Sequence, residues 1–155
     1  MELSKAKVCI PASSGGHLTH MRMLMPVIEK AHDRFWVTFD KADANAALAG
    51  ERVYHCFFPT NRNVKNTVRN TILSIGILRK ERPDLIISSG AAVAVPFFLV
   101  GKLMGAKTVY VEVFDRIDAP TLTGRLVRRF TDLFVVQWPE MTSVYQGSVD
   151  LGSIF

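Results

Sequence analysis

The chain has 155 residues, enough to bury one substantial core without disulfides or metals. Hydrophobic residues make up 48% and charged residues 21%, a balance that excludes a disordered chain. The net charge of +5 favours contact with phosphates, yet no run of five or more basic residues points to nucleic acid.

Strand and helix alternate from the start. Lys7–Ile10 is short, apolar and β-prone, and Pro11–Gly16 is a turn. From His17 the apolar positions Met21, Leu24, Met25 and Ile28 fall at helical spacing. Phe35–Phe39 is an aromatic and β-branched strand, and Asp40–Ala49 is an alanine-rich helix closed by Gly50. Val53–Phe57 predicts a third strand and Pro59–Asn63 a loop. Val64, Val68, Ile72, Ile75 and Leu78 continue as a long helix that must stop before Pro83. Asp84–Ile87 is a strand, Ser88–Ala92 a glycine-containing turn, and Val93–Met104 an apolar helix ended by Gly105. Thr108–Val113 is the fifth strand, Leu122–Phe130 a helix and Leu133–Val136 the sixth strand. The tail beyond Trp138 reads as irregular or as one short helical turn.

Alternation of this kind requires parallel pairing, because each crossover returns to the same end of the sheet. The expectation is one domain over residues 1–155: a Rossmann-like, doubly wound α/β fold of six parallel strands in the order 3-2-1-4-5-6. The most apolar window, Leu85–Gly101, is short for a membrane span and contains Ser88, Ser89, Gly90 and Pro96, so it reads as strand, turn and helix start. Met1–Lys7 does not read as a signal peptide. Cys9 and Cys56 sit in apolar runs with no metal-ligand spacing, which predicts buried, reduced thiols and no metal.

Ligands of such sheets lie outside the carboxyl ends of the strands, near the switch between the first and fourth strands. Two loops meet there. Ala12–His17 (ASSGGH) and Ser88–Ala91 (SSGA) both carry glycines that let backbone amides approach a ligand. Ser14, Gly15, Gly16, Ser89 and Gly90 therefore suit a phosphate or diphosphate, or else form tight turns with capping serines. The spacing is neither GxGxxG nor a P-loop. Asp40, at the end of the second strand, keeps a nicotinamide-dependent enzyme in view as an alternative. His17 opens the first helix, where the positive helix end favours a neutral imidazole able to accept a proton. Glu112 ends the fifth strand, and a carboxyl group at such a buried edge needs a partner or a function. Trp138 follows the last strand as a packing anchor or an interface residue.

The segments ASSGGHL, ISSGAAVAVPF and VYVEVFDRIDAPTLTGRLVRRFTDLFVVQWPEM resemble bacterial exopolysaccharide proteins of the PssD type. They also resemble the membrane-anchoring subunit of the eukaryotic bipartite transferase that adds the second N-acetylglucosamine to a dolichol-diphosphate sugar. The resemblance implies the N-terminal half of a MurG-like GT-B enzyme on its own chain. Such a half is an acceptor-binding glycosyltransferase subunit, active only with a separate UDP-sugar-binding partner and inverting at the anomeric carbon. The implied acceptor is a polyprenyl-diphosphate-linked sugar, on the cytoplasmic face of a membrane, in exopolysaccharide or capsule biosynthesis. No cofactor is implied. Ser14, Gly15, Gly16 and His17 match the family's glycine loop, Glu112 its strand-end glutamate, a base or an acceptor contact, and Arg116 the same block. Either His17 or Glu112 is the expected catalytic base. Trp138, Tyr145 and the tail 138–155 match the region that meets the partner. A recruiting subunit without chemistry is the alternative reading. The eukaryotic subunits begin with a transmembrane helix and this sequence has none, so peripheral contact is expected. That contact runs through the partner or through Val64–Arg82, where Lys65, Arg69, Arg79 and Lys80 can meet headgroups. The same helix also reads, and more simply, as a helix packed on the sheet with solvated basic residues.

Overall fold

The computed structural model describes residues 2–60 and 63–154; of the expected loop 59–63, Asn61 and Arg62 lie outside the described residues. Seven parallel strands form one sheet in the order β3-β2-β1-β4-β5-β6-β7. They are β1 (Lys7–Pro11), β2 (Asp33–Phe39), β3 (Val53–Cys56), β4 (Leu85–Ser88), β5 (Lys107–Val111), β6 (Leu133–Val136) and β7 (Val149–Asp150). The first six have the expected order, and the switch point lies between β1 and β4. Each central strand is buried on both faces, as parallel strands under helices must be.

The helices divide between the two faces. On one lie α1 (Gly16–Met23), α2 (Met25–Ile28) and α3 (Ala42–Ala47), which close a core of Val8, Ile10, Leu18, Met21, Ile28, Trp36 and Ala44. On the other lie α4 (Val64–Glu81), α5 (Ala94–Leu103) and α6 (Leu122–Val127), over Phe35, Ile77, Leu78, Phe97, Phe98, Tyr110 and Phe134. One short helix, α7 (Met141–Val144), precedes β7. Among the described residues no helix is long and apolar enough to cross a membrane.

Three features differ from the sequence reading. The first helix is two, broken at Leu24, because Pro26 follows at the start of α2 and cannot donate to the turn behind it. The tail adds a seventh strand, paired through Val135–Val149 and Val136–Asp150. The third is α4. The first half of its apolar stripe faces outward, with Val64 77%, Val68 54% and Ile72 66% exposed, while Ile75 and Leu78 turn into the core and Asn66, Asn70 and Ser74 are buried. Hydrogen bonds explain the reversal. Asn70 accepts from the Phe57 amide and donates to the Phe57 carbonyl, both at 2.9 Å. Asn66 donates to the Pro59 carbonyl at 2.9 Å, and Asn63 caps the helix through the Asn66 amide. The polar stripe of α4 thus anchors the loop that leaves β3.

Candidate functional site

The carboxyl edge of the sheet carries two adjoining clefts. The larger, of about 620 Å³, draws its lining from the loops after β1, β2, β3 and β4: Ser13, Ser14 and His17, then Lys41, then Phe58–Thr60, then Ala91 and Ala92. Tyr110 and Thr121–Thr123 close it. The smaller, of about 370 Å³, is lined by Gly16, His17, His20, Val113–Arg116 and Thr121. His17 and Thr121 line both, so they form the ridge between the two.

The turn before α1 is open. A side chain built on Gly15 or Gly16 would meet nothing within 4 Å. The first amides of α1 with acceptors are those of Leu18 and Thr19, which bond to the Ser13 and Gly15 carbonyls. The amides of Gly16 and His17 precede them, at a helix start where no intrahelical acceptor exists. That arrangement, with the positive end of the helix behind it, suits an anion.

The second loop is a brace rather than a wall. Ser88 and Ser89 are fully buried. Ser89 Oγ donates to the His17 carbonyl at 3.2 Å and lies 3.5 Å from His17 Nδ1. Its single proton is spent on that carbonyl, so its lone pair faces Nδ1, which favours the proton on Nδ1 and leaves Nε2 as the acceptor. Gly90, at φ +121°, lies where a Cβ would approach the Tyr110 hydroxyl to 2.8 Å and His17 Cε1 to 3.1 Å. Only glycine satisfies both that dihedral and that close approach. Ser89 and Gly90, expected at the diphosphate, are instead buried and support His17 from behind.

Burial lowers the pKa of His17 below the ordinary histidine value, against a hydrogen bond to the Ser89 main chain and the charges of Glu112 and Asp115. His20 is lowered too, chiefly by burial and next by His17 itself. Gln137 lies 2.8 Å from His20 Nε2 and donates to the Glu112 carbonyl at 2.9 Å.

Glu112 is 1% exposed and does not open into either cleft. Its carboxyl oxygens accept from the Val113 amide at 3.0 Å, the Tyr145 hydroxyl at 2.6 Å and the Thr121 hydroxyl, 3.0 Å from each oxygen. Thr121 also caps α6 through the Gly124 amide at 2.9 Å. A Cβ on Gly124 would stand 2.3 Å from the Tyr145 hydroxyl and 2.6 Å from Glu112 Oε2, so the T-G pair of the sequence exists to let α6 close over this carboxyl group. Burial, followed by Glu112, pushes the Tyr110 and Tyr145 hydroxyls well above the tyrosine range and keeps them donors.

The remaining expected residues separate. Arg116 is exposed on the rim of the smaller cleft. Trp138 is half-buried, donates to the Phe114 carbonyl at 2.7 Å and packs tilted against the Phe114 ring. Tyr145, expected at a partner surface, is 2% exposed and belongs to the interior, because its hydroxyl is consumed by Glu112. Asp40 lines neither cleft; it accepts from Asn45 on the outside of the sheet edge. Its neighbour Lys41 is the cation of the larger cleft, seated 5.1 Å from the Phe58 ring. Sequence reasoning passed over Lys41, although its place in the loop that leaves β2 marked it. Among the described residues no group of three or more His, Cys, Asp or Glu side chains could hold a metal ion.

A sequence profile described as "Oligosaccharide biosynthesis protein Alg14 like" matches residues 8–154. The human UDP-N-acetylglucosamine transferase subunit ALG14 is 26% identical over 95% of this chain and 82% of its own length. The Schizosaccharomyces pombe subunit of the same name is 35% identical over 46% of this chain and 37% of its own length. Among solved structures, MurG from Acinetobacter baumannii superposes with a TM-score of 0.73 at 16% identity, over 87% of this chain and 42% of MurG. A UDP-N-acetylglucosamine 2-epimerase from Listeria monocytogenes gives 0.74 at 13% identity, over 94% of this chain and 42% of the epimerase. The chain spans less than half the length of these two enzymes, and the likeness is one of fold.

Proposed function

Because the chain belongs to the Alg14-like family of oligosaccharide biosynthesis proteins, we propose that it is the acceptor-binding subunit of a two-chain N-acetylglucosaminyltransferase. The observation that carries the reading is the open turn Ser13–His17 at the switch point, beside an imidazole that burial keeps neutral. In this reading the Gly16 and His17 amides, with Lys41, hold the diphosphate of a polyprenyl-linked sugar. His17 Nε2 takes the proton of the acceptor hydroxyl as its oxygen bonds to the anomeric carbon, and the bond to UDP breaks on the opposite face. Glu112 is a positioning residue that fixes Thr121, the other side chain of the ridge, and its field bears on His17. The UDP-sugar comes on a separate partner chain. The sugar named in the relatives, N-acetylglucosamine, is in this reading the one the pair transfers.

The outward stripe of α4, with Lys65 and Arg69 beside Val64, Val68 and Ile72, supports peripheral contact with the cytoplasmic face of an anionic membrane. Resemblance to PssD-type proteins makes an exopolysaccharide or capsule precursor the expected product.

The test is reconstitution with the small UDP-sugar-binding partner on a polyprenyl-diphosphate sugar. The account expects transfer from the pair and neither chain active alone. A partner that transfers at the full rate by itself leaves this chain a recruiting subunit and overturns the assignment.

A further inference from the structure

Behind the wall of the larger cleft lies a groove that the reading above does not use. It has a volume of about 450 Å³ and is lined by Asp118, Pro120, Arg125, Arg128, Arg129, Val144 and Tyr145. The segment 118–121 separates it from the His17 ridge. The geometry points to a second anion site in this groove, which takes a phosphorylated group between Arg125, Arg128 and Arg129.

Three observations support the assignment. Some cations of the molecule are matched with carboxylates, Arg34 with Glu51, Arg52 with Asp33 and Glu81, and Lys102 with Asp132, whereas others, such as Lys30 and Arg116, make no ion pair among the described residues; the groove is set apart by bringing three arginines to one lining. Among the described residues none of the three groove arginines makes an ion pair, not even with Asp118 on the rim. Three guanidinium groups and one carboxylate leave the groove positive, and such an excess persists most cheaply where an anion enters. Arg128 is also held in place. It donates to the Gln146 carbonyl at 2.6 Å and lies 6.0 Å from the Tyr145 ring, which leaves most of its five N–H groups for a ligand.

The chemistry selects phosphate over carboxylate. One guanidinium already balances the single charge of a carboxylate, whereas a phosphate ester or diphosphate carries more charge and more oxygens and suits two or three forks at once. The groove has the size of a small-ligand site, and Pro120 and Val144 give it apolar flanks for the carbon skeleton that the phosphate carries. That phosphate is either part of a lipid headgroup or part of a soluble phosphate ester.

The test uses the full chain, labelled so that each arginine Nε–Hε signal is observed, and titrates inorganic pyrophosphate at constant ionic strength. The account expects saturable shifts of Arg128 and of at least one of Arg125 and Arg129. The double variant R125Q/R129Q, which leaves the bond from Arg128 to Gln146 intact, weakens the Arg128 response about tenfold or more while the amide spectrum stays folded. Vesicles of phosphatidylglycerol in phosphatidylcholine form the second arm. Displacement of pyrophosphate from Arg128 by these vesicles assigns the site to headgroups, and retention of pyrophosphate in their presence assigns it to a soluble ester. Shifts no larger than those from chloride, or a response that survives R125Q/R129Q, overturn the proposal. The outcome is independent of the transfer assay, because neither Arg125 nor Arg129 lines the His17 clefts.

Discussion

The Tyr145 hydroxyl donates to the Glu112 carboxyl at 2.6 Å, joining the tail of the chain to the end of β5 in the interior. The same carboxyl group receives Thr121, which stands on the ridge between the two clefts. A contact that reorders residues near Tyr145 therefore reaches the ridge through one shared carboxyl group.

Removing that donor has a defined cost. Tyr145→Phe leaves a buried acceptor short of a partner and destabilises the fold by about 1–3 kcal/mol. Gly124→Ala places a Cβ against the Tyr145 hydroxyl and Glu112, and destabilises by about 1–3 kcal/mol as overpacking does. Chemical denaturation of both variants checks this. A midpoint unchanged in both contradicts the buried network.

The pH dependence follows from two depressed histidines. Burial lowers His17 and His20 below the ordinary histidine value of 6.5. The unfolded chain binds those protons first as pH falls, so stability is complete above 6.5 and is lost progressively below it. The reconstituted enzyme keeps a neutral His17 over the same interval, so the acid limb of kcat/KM lies below 6.5. Asp115 raises both histidines, and Asp115→Asn moves the limb further toward acid. A limb at or above 6.5 removes His17 as the base.

The two faces of α4 separate by mutation. Asn70→Ala strips both hydrogen bonds from Phe57, in the loop that reaches the cleft, and costs about 1–3 kcal/mol. Val68→Asp and Ile72→Asp change stability by only about 0.5 kcal/mol, since both side chains are exposed. They reduce co-sedimentation with anionic vesicles. Equal losses of stability on the two faces contradict the outward stripe.

Neither cysteine is a reactive thiol. Burial pushes Cys56 up to about 12, and Cys9, fully buried, is raised as well. Disulfide-exchange reagents label neither in the folded chain and both after denaturation. Rapid labelling of either without denaturant refutes their burial.

Six strands and their order were legible because each apolar β-prone run is closed by a turn and followed by a helical pattern. The switch-point loop was legible for the same reason. What escaped the sequence depended on partners distant along the chain. Val149–Asp150 is too short to carry a period of its own and becomes a strand only beside β6. The apolar positions of α4 predict a face without saying where it points. Asn66 and Asn70 decide that, through carbonyls and amides of the preceding loop. Glu112 drew attention as a strand-end carboxyl group, but its contacts with Tyr145, Thr121 and Gly124 were needed to show that it is enclosed beneath the ridge.

The most direct test of the central claim is binding of a short-chain prenyl-diphosphate N-acetylglucosamine to this chain alone, followed by amide shifts. The account predicts saturable binding with the largest shifts at Gly15, Gly16, His17 and Lys41, abolished by excess pyrophosphate. Binding that leaves these amides unmoved, or none at all, contradicts it.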